Sequence, residues 1–150
     1  MAAESHPVIA LDTNLLVYAH RRAVPEHRGA RRAIERATRD SRGWGIPLAC
    51  LAEFWAVVTH GAASGRPSTP TEASAFVRSL IQEGGAVVWS PGAGFGPRLL
   101  DLARRLDVRG VRIFDLQIAL LALDGGATEI WSHDHNFFSL PGLPVTDPLQ

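Results

Sequence analysis

Four acidic side chains stand where an apolar core would be expected. Asp12 closes the run VIAL in VIALDTNLLVYA, and Glu53 lies inside ACLAEFWAV, with Ala49, Ala52, Ala56 and Val57 around it on a helix. Asp115, in IFDLQIA, has Ile118, Ala119 and Ala122 on its helical face, and Asp134 follows an apolar segment in WSHDHNF. Each alone has an ordinary reading: Asp12 and Asp115 as helix caps or dipole contacts, Asp134 as an Asx-type turn. Glu53 is harder to dismiss, because a long charged side chain is rarely buried without a partner. If the four converge, two carboxylates ~5 Å apart repel by ~3 kcal/mol at an effective dielectric of 20, and cations become necessary. Oxygen-only ligands select hard ions, so Mg²⁺ is expected and Mn²⁺ is compatible. A divalent ion held by carboxylates, with water in its remaining positions, suits hydrolysis of a phosphodiester.

Convergence requires particular elements. Residues 8–11 read as a strand buried on both faces, and 13–22 as a helix. A second helix spans 26–39 behind Pro25, with Ala30, Ala33, Ile34 and Ala37 inward. Residues 44–47 read as a short strand, and 48–59 as a helix whose apolar positions are Leu48, Leu51, Trp55 and Val58. GAASGRPSTP at 61–70 is a loop, 71–83 an amphipathic helix, 86–89 a strand, and 91–96 a glycine-rich loop before a helix at 99–106. The helix at 113–124 is apolar on almost every side and is expected in the interior; strands follow at 128–131 and, at the sheet edge, 143–146. Alternating strands and helices predict a three-layer α/β/α fold around a central, mostly parallel sheet. Ligands of such sheets bind beyond the carboxyl ends of the strands, where Asp12 and Asp134 would lie.

Bulk properties narrow the class. The 150 residues suit one domain, and 46% hydrophobic with 20% charged residues is ordinary for a globular protein. No apolar run reaches the roughly 20 residues of a membrane span, and no secretory signal is expected. The lone Cys50 cannot form an internal disulfide, so a cytoplasmic location and a small, buried Cys50 are expected. Net charge is zero, yet every basic residue is an arginine, and eight arginines between 21 and 42 face only three acids. Arg28 and Arg32, with Arg36 and Arg39, would share one side of a helix and could meet phosphates; a solvated helix face is the plainer alternative. Arg112, three residues before Asp115, is a further candidate for substrate contact. His133 and His135 flank Asp134 and suggest zinc. Closed zinc sites take four ligands, usually including cysteine, and no second histidine pair is present, so zinc is not expected. The four tryptophans, in apolar contexts, are read as core.

The ordered series of strand plus Asp12-Thr13-Asn14, Glu53, Asp115 in IFDLQIA and Asp134 in WSHDHNF resembles the PIN-domain nucleases, in particular the VapC toxins of type II toxin–antitoxin pairs. The tail, with Leu140-Pro-Gly-Leu143 and Thr146-Asp-Pro-Leu149, is similar to the closing PGL and NPL-type segments of one VapC group. The resemblance implies a metal-dependent endoribonuclease, a homodimer, and inhibition by a cognate VapB-type antitoxin. By it, Asp12, Glu53, Asp115 and Asp134 would hold Mg²⁺, Thr13 would add a hydroxyl near the metal water, Asn14 would brace the acids, and Ser132 occupies the usual Thr/Ser position. Two departures stand out. Asn136 replaces an acid common in relatives, and Phe114 replaces a polar residue before the third acid, a change read here as packing.

Other functions make different demands. A phosphatase of the haloacid-dehalogenase type, with Asp12 as nucleophile, needs a second acid two residues on, where Asn14 stands. A catalytically silent RNA- or protein-binding module would gain nothing from negative charges clustered toward phosphate. A housekeeping RNA-processing nuclease would share every residue named above.

Overall fold

The computed structural model describes residues 7–61 and 65–150. The apolar residues after Pro7 form β1 (Ile9–Leu11), fully buried, and Asp12 then caps α1 (Thr13–His20). The chain continues through α2 (His27–Arg39), β2 (Trp44–Pro47), α3 (Leu48–Thr59), α4 (Pro70–Gln82) and β3 (Val87–Trp89). It ends with α5 (Phe95–Arg105), α6 (Arg112–Asp124), β4 (Glu129–Trp131) and β5 (Val145–Thr146). The five strands form one sheet in the order β3-β2-β1-β4-β5, and every pair is parallel. The chain thus builds outward from β1 in one direction through β2 and β3, then returns to its other side with β4 and β5. That reversal leaves a crevice at the carboxyl ends of β1 and β4, where Asp12 and Ser132 stand.

Local chemistry explains most boundaries. Thr69 and Glu72 close a reciprocal capping box ahead of α4, each accepting the other's backbone N–H at 3.1 Å, with Pro70 at the first helical position. On α2, Ala30, Ala33, Ile34 and Ala37 are buried as expected while the arginines face outward. Residues 116 and 118–122 of α6 are all buried, which accounts for a helix apolar on nearly every side. Gly125 ends α6 beneath the Trp89 ring, where a Cβ would come within 2.2 Å of the indole.

Several sequence expectations need correction. The glycine-rich loop at 91–96 is shorter than expected: Gly94, at φ 77°, turns the chain directly into α5, and Phe95 is already helical and buried. On α3 the inward side chains are Cys50, Phe54 and Val58, whereas Leu48 and Trp55 are 43% and 41% exposed. The helical spacing was sound, but aromatic and aliphatic residues cover more than one face and the period alone cannot choose between them. Trp44 and Trp89 are core, as expected, and Trp55 is not. Residues 62–64 of the expected 61–70 loop, and the N-terminal six residues, lie outside the described part. Among the described residues no helix is long and apolar enough to cross a membrane.

Candidate active site

Asp12 is 5% exposed and fixed from several sides. Its Oδ1 accepts the Thr13 N–H at 2.7 Å, and its Oδ2 accepts the Ser132 hydroxyl at 2.8 Å and the Asn14 amide at 3.2 Å. Ser132 comes from the end of β4, and its position beside Asp12 follows from the pairing of Leu11 with Trp131. Asn14 completes the lattice: its amide also donates to Ser132 Oγ at 3.1 Å, and its carbonyl accepts the His133 N–H at 3.1 Å. Asp134 donates its own N–H to Ser132 Oγ at 3.1 Å. Ser132 and Asn14 therefore tie the strand end carrying Asp12 to the turn carrying Asp134.

Glu53 reaches this lattice through α3. Its Oε2 accepts the Thr13 hydroxyl at 2.8 Å, so that hydroxyl is engaged with a carboxylate while the same residue's N–H is engaged with Asp12. Asp115, in the first turn of α6, accepts the Phe138 N–H at 3.2 Å. Asp134 accepts the Asn136 N–H at 2.9 Å, so Asn136 contributes a backbone contact at the position where an acid was absent.

The electrostatics distinguish the inner from the outer part of the site. Burial pushes Asp12 up to about 6, and the charges of Asp115 and Glu53 add to it, against the opposing pull of the Ser132 and Thr13 hydrogen bonds. Asp115 is also raised, by burial and by Asp134, while the Phe138 N–H and Arg112 pull it down. Burial likewise pushes the Cys50 thiol well up; it lies 4.0 Å from Asp12 Oδ1, as a small buried residue rather than a nucleophile. The four acids form a series of electrostatic neighbours, Glu53 to Asp12 to Asp115 to Asp134. Among the described residues, the four acids do not form a group of three or more side chains whose ligand atoms already stand close enough to share an ion.

Asp115 and Asp134 line an open cleft of about 650 Å³, together with Val111, Arg112, Phe114 and Asn136. Arg112 lies with its guanidinium carbon 5.3 Å from the centre of the Phe138 ring. Phe114 is 53% exposed, so its reading as a packing residue is corrected: the first turn of α6 holds it at the cleft wall rather than in the core. Arg28 and Arg32 are not brought to this cleft. They line a separate depression on α2 with His27, Arg31 and Glu35, while Arg36 lies over the Trp131 ring at 5.3 Å and donates to the Pro148 carbonyl at 3.0 Å.

One residue near the site was not singled out from the sequence. Asp147 follows β5 and meets His133 and His135, at 2.9 and 3.0 Å. The Asp in TDPL was legible, but only the pairing of Trp131 with Thr146 brings it beside the residues after β4.

Comparison with known proteins agrees with this geometry. A family model described as PIN domain matches residues 9–143. A VapC ribonuclease of Mycobacterium bovis and Ribonuclease VapC43 of Mycobacterium tuberculosis are each 33% identical over 143 residues, covering 95% of this chain and 97% of theirs. Ribonuclease VapC48 of M. tuberculosis is 28% identical over 93% of this chain and 96% of its own. Among solved structures, M. tuberculosis VapC20, described as a sarcin-ricin loop cleaving toxin, superposes with a TM-score of 0.64 at 16% identity, covering 86% of this chain and 92% of that one. VapBC2 from Rickettsia felis, bound to a DNA fragment from its promoter, gives 0.62 at 17% identity, over 93% and 97%. The fold is thus a known one, and the chain belongs to the PIN-domain family and, within it, to the VapC ribonucleases.

Proposed function

We propose that the chain is a Mg²⁺-dependent endoribonuclease acting as the toxin of a type II toxin–antitoxin pair, neutralised by a VapB-type antitoxin. The observation that carries this reading is Asp12: a nearly buried carboxylate, raised to about 6 and flanked by the charges of Asp115 and Glu53. Among the described residues no ion pair reaches Asp12, Glu53, Asp115 or Asp134. A divalent cation fits this donor set, which is oxygen only and in electrostatic deficit. Mn²⁺ would fit the same donors. When bound, the ion would supply a water acidic enough to attack phosphorus and would neutralise charge on the scissile phosphate.

The residues divide the remaining work. Asp12, Glu53, Asp115 and Asp134 would hold the cation, drawing in around it as it neutralises their mutual repulsion. Thr13 orients Glu53 through its hydroxyl, and Asn14 with Ser132 fixes the Asp12 and Asp134 positions relative to each other. Arg112, at the cleft wall, is placed to meet a phosphate of the RNA, and the exposed Phe114 ring offers a face on which a base can stack. Arg28 and Arg32 belong to a more distant cationic surface and add general affinity for the RNA backbone.

Protein partners need apolar surface, and Trp55 and Ile81, which line one hollow between α3 and α4 with Leu51 and Val77, supply it. We assign that surface to a second copy of the chain and to the antitoxin, in a cytoplasmic complex. An antitoxin partner is supported by a neighbour solved as a VapBC complex and by relatives named as VapC ribonucleases. The test is to induce the wild type and Asp12→Asn in cells and map the 5′ ends in total RNA. Discrete new ends and growth arrest are expected with the wild type only, and equal cleavage by the variant would overturn the reading.

A further inference from the structure

His133, His135 and Asp147 present one ligand atom each, all within 4.8 Å of one another. Asp147 Oδ2 sits 2.9 Å from His133 Nδ1 and 3.0 Å from His135 Nε2, and is 9% exposed, against 30% and 62% for the two histidines. Its other oxygen accepts the Leu149 N–H at 2.9 Å, which fixes the carboxylate on the tail. His133 and His135 both meet Asp147, while Asp134 lines the acidic cleft, whose wall His135 also joins.

We propose that His133 Nδ1, His135 Nε2 and Asp147 Oδ2 form a second metal site, selective for a borderline divalent ion such as Zn²⁺, Co²⁺ or Ni²⁺. Two imidazoles and one carboxylate are the donors such ions prefer, whereas Mg²⁺ prefers oxygen. A tetrahedral ion with bonds of ~2.0–2.1 Å sets its ligand atoms roughly 3.3–3.4 Å apart, so the two His–Asp pairs need to open by a few tenths of an ångström, with the two imidazole nitrogens, within 4.8 Å of each other, settling on the ion. Three protein ligands leave a position for water. The site joins the β4 turn to the C-terminal tail across the β4–β5 edge, so an ion there fixes the segment that carries Asp134. It differs from the Mg²⁺ site of the proposed nuclease in donors and in residues, and its existence does not depend on RNA cleavage.

The test is a Co²⁺ titration of tag-free protein followed by visible d–d absorption, in the wild type, in Asp12→Asn/Asp115→Asn and in His135→Gln. Saturable absorption at one ion per chain is expected in the wild type and in the double variant, with Zn²⁺ displacing Co²⁺ and excess Mg²⁺ leaving it in place. His135→Gln should weaken binding by roughly tenfold or more; its side chain is largely exposed, so folding is not at risk, and Asp147→Asn should behave alike. No absorption in the wild type, unchanged binding in His135→Gln, or loss of binding in Asp12→Asn/Asp115→Asn would overturn the proposal. Loss of RNA cleavage in the double variant with Co²⁺ binding retained would separate the two sites.

Discussion

Two aspartates on either side of one short turn have opposite electrostatics. Asp12 is 5% exposed and Asp147 has a side chain 9% exposed, so burial tends to raise both. Asp12 is raised to about 6, with two like charges adding to burial. Burial raises Asp147 too, yet the Leu149 N–H and the two histidines outweigh it and hold the carboxyl below its ordinary range. Burial alone does not decide what a carboxylate does; the sign of what surrounds it does. One aspartate is set against its neighbours, and the other is satisfied by hydrogen bonds.

Substitutions should separate the two sites, starting with the largest effect. Asp12→Asn is expected to lose ~4 kcal/mol of transition-state stabilisation, about 10³-fold in RNA cleavage, measured on purified protein with Mg²⁺. Without metal at pH 8 the same change should stabilise the fold by up to ~3 kcal/mol, because the shift from 3.8 to about 6 is a cost borne by the ionised native state. Asp147→Asn should do the reverse, losing about 1–2 kcal/mol from broken charge-assisted hydrogen bonds. Thermal melts of both variants would test the opposite signs, and equal signs would end the comparison.

The pH dependence follows the same division. Asp12 has a native value above its unfolded one, so its proton is held more tightly by the fold; the stability this provides is present below 3.8 and lost as pH rises through about 6. Mg²⁺ should accordingly raise the melting temperature well above pH 6 and little below it, and Asp12→Asn should abolish that difference. Asp147, held low, contributes stability that is present above its unfolded value and lost only as pH falls through its native one. The smallest effects concern exposed bases. Arg112→Ala, at the cleft, should raise KM for RNA by about tenfold with kcat less affected, whereas Arg28→Ala with Arg32→Ala should change it by roughly twofold and mainly at low salt. Steady-state kinetics at two salt concentrations would rank them.

Much of this was readable before folding. The strand before Asp12, the helix inside which Glu53 sits, and the apolar helix behind Asp115 follow from short-range patterns, because strand and helix periods place side chains within a few residues. The inward face of α3 was less legible, since Leu48 and Trp55 are as apolar as Cys50 and Phe54 and only packing against α1, α4 and α6 selects among them. Phe114 shows the same limit at the site: a large apolar side chain is predicted to be core, and the fold leaves it at the wall of a cleft.

By itself the sequence determined the donors: four carboxylates in apolar settings, no cysteine near them in sequence except Cys50, and a tail ending in Asp-Pro-Leu. Tertiary structure alone decided which donors meet. Parallel pairing of β4 with both β1 and β5 brings Ser132 to Asp12 on one side and His133 to Asp147 on the other. Local periodicity carries no record of that, because strand order is set by how distant segments bury one another, and the electrostatic sign of each site follows from the neighbours so acquired.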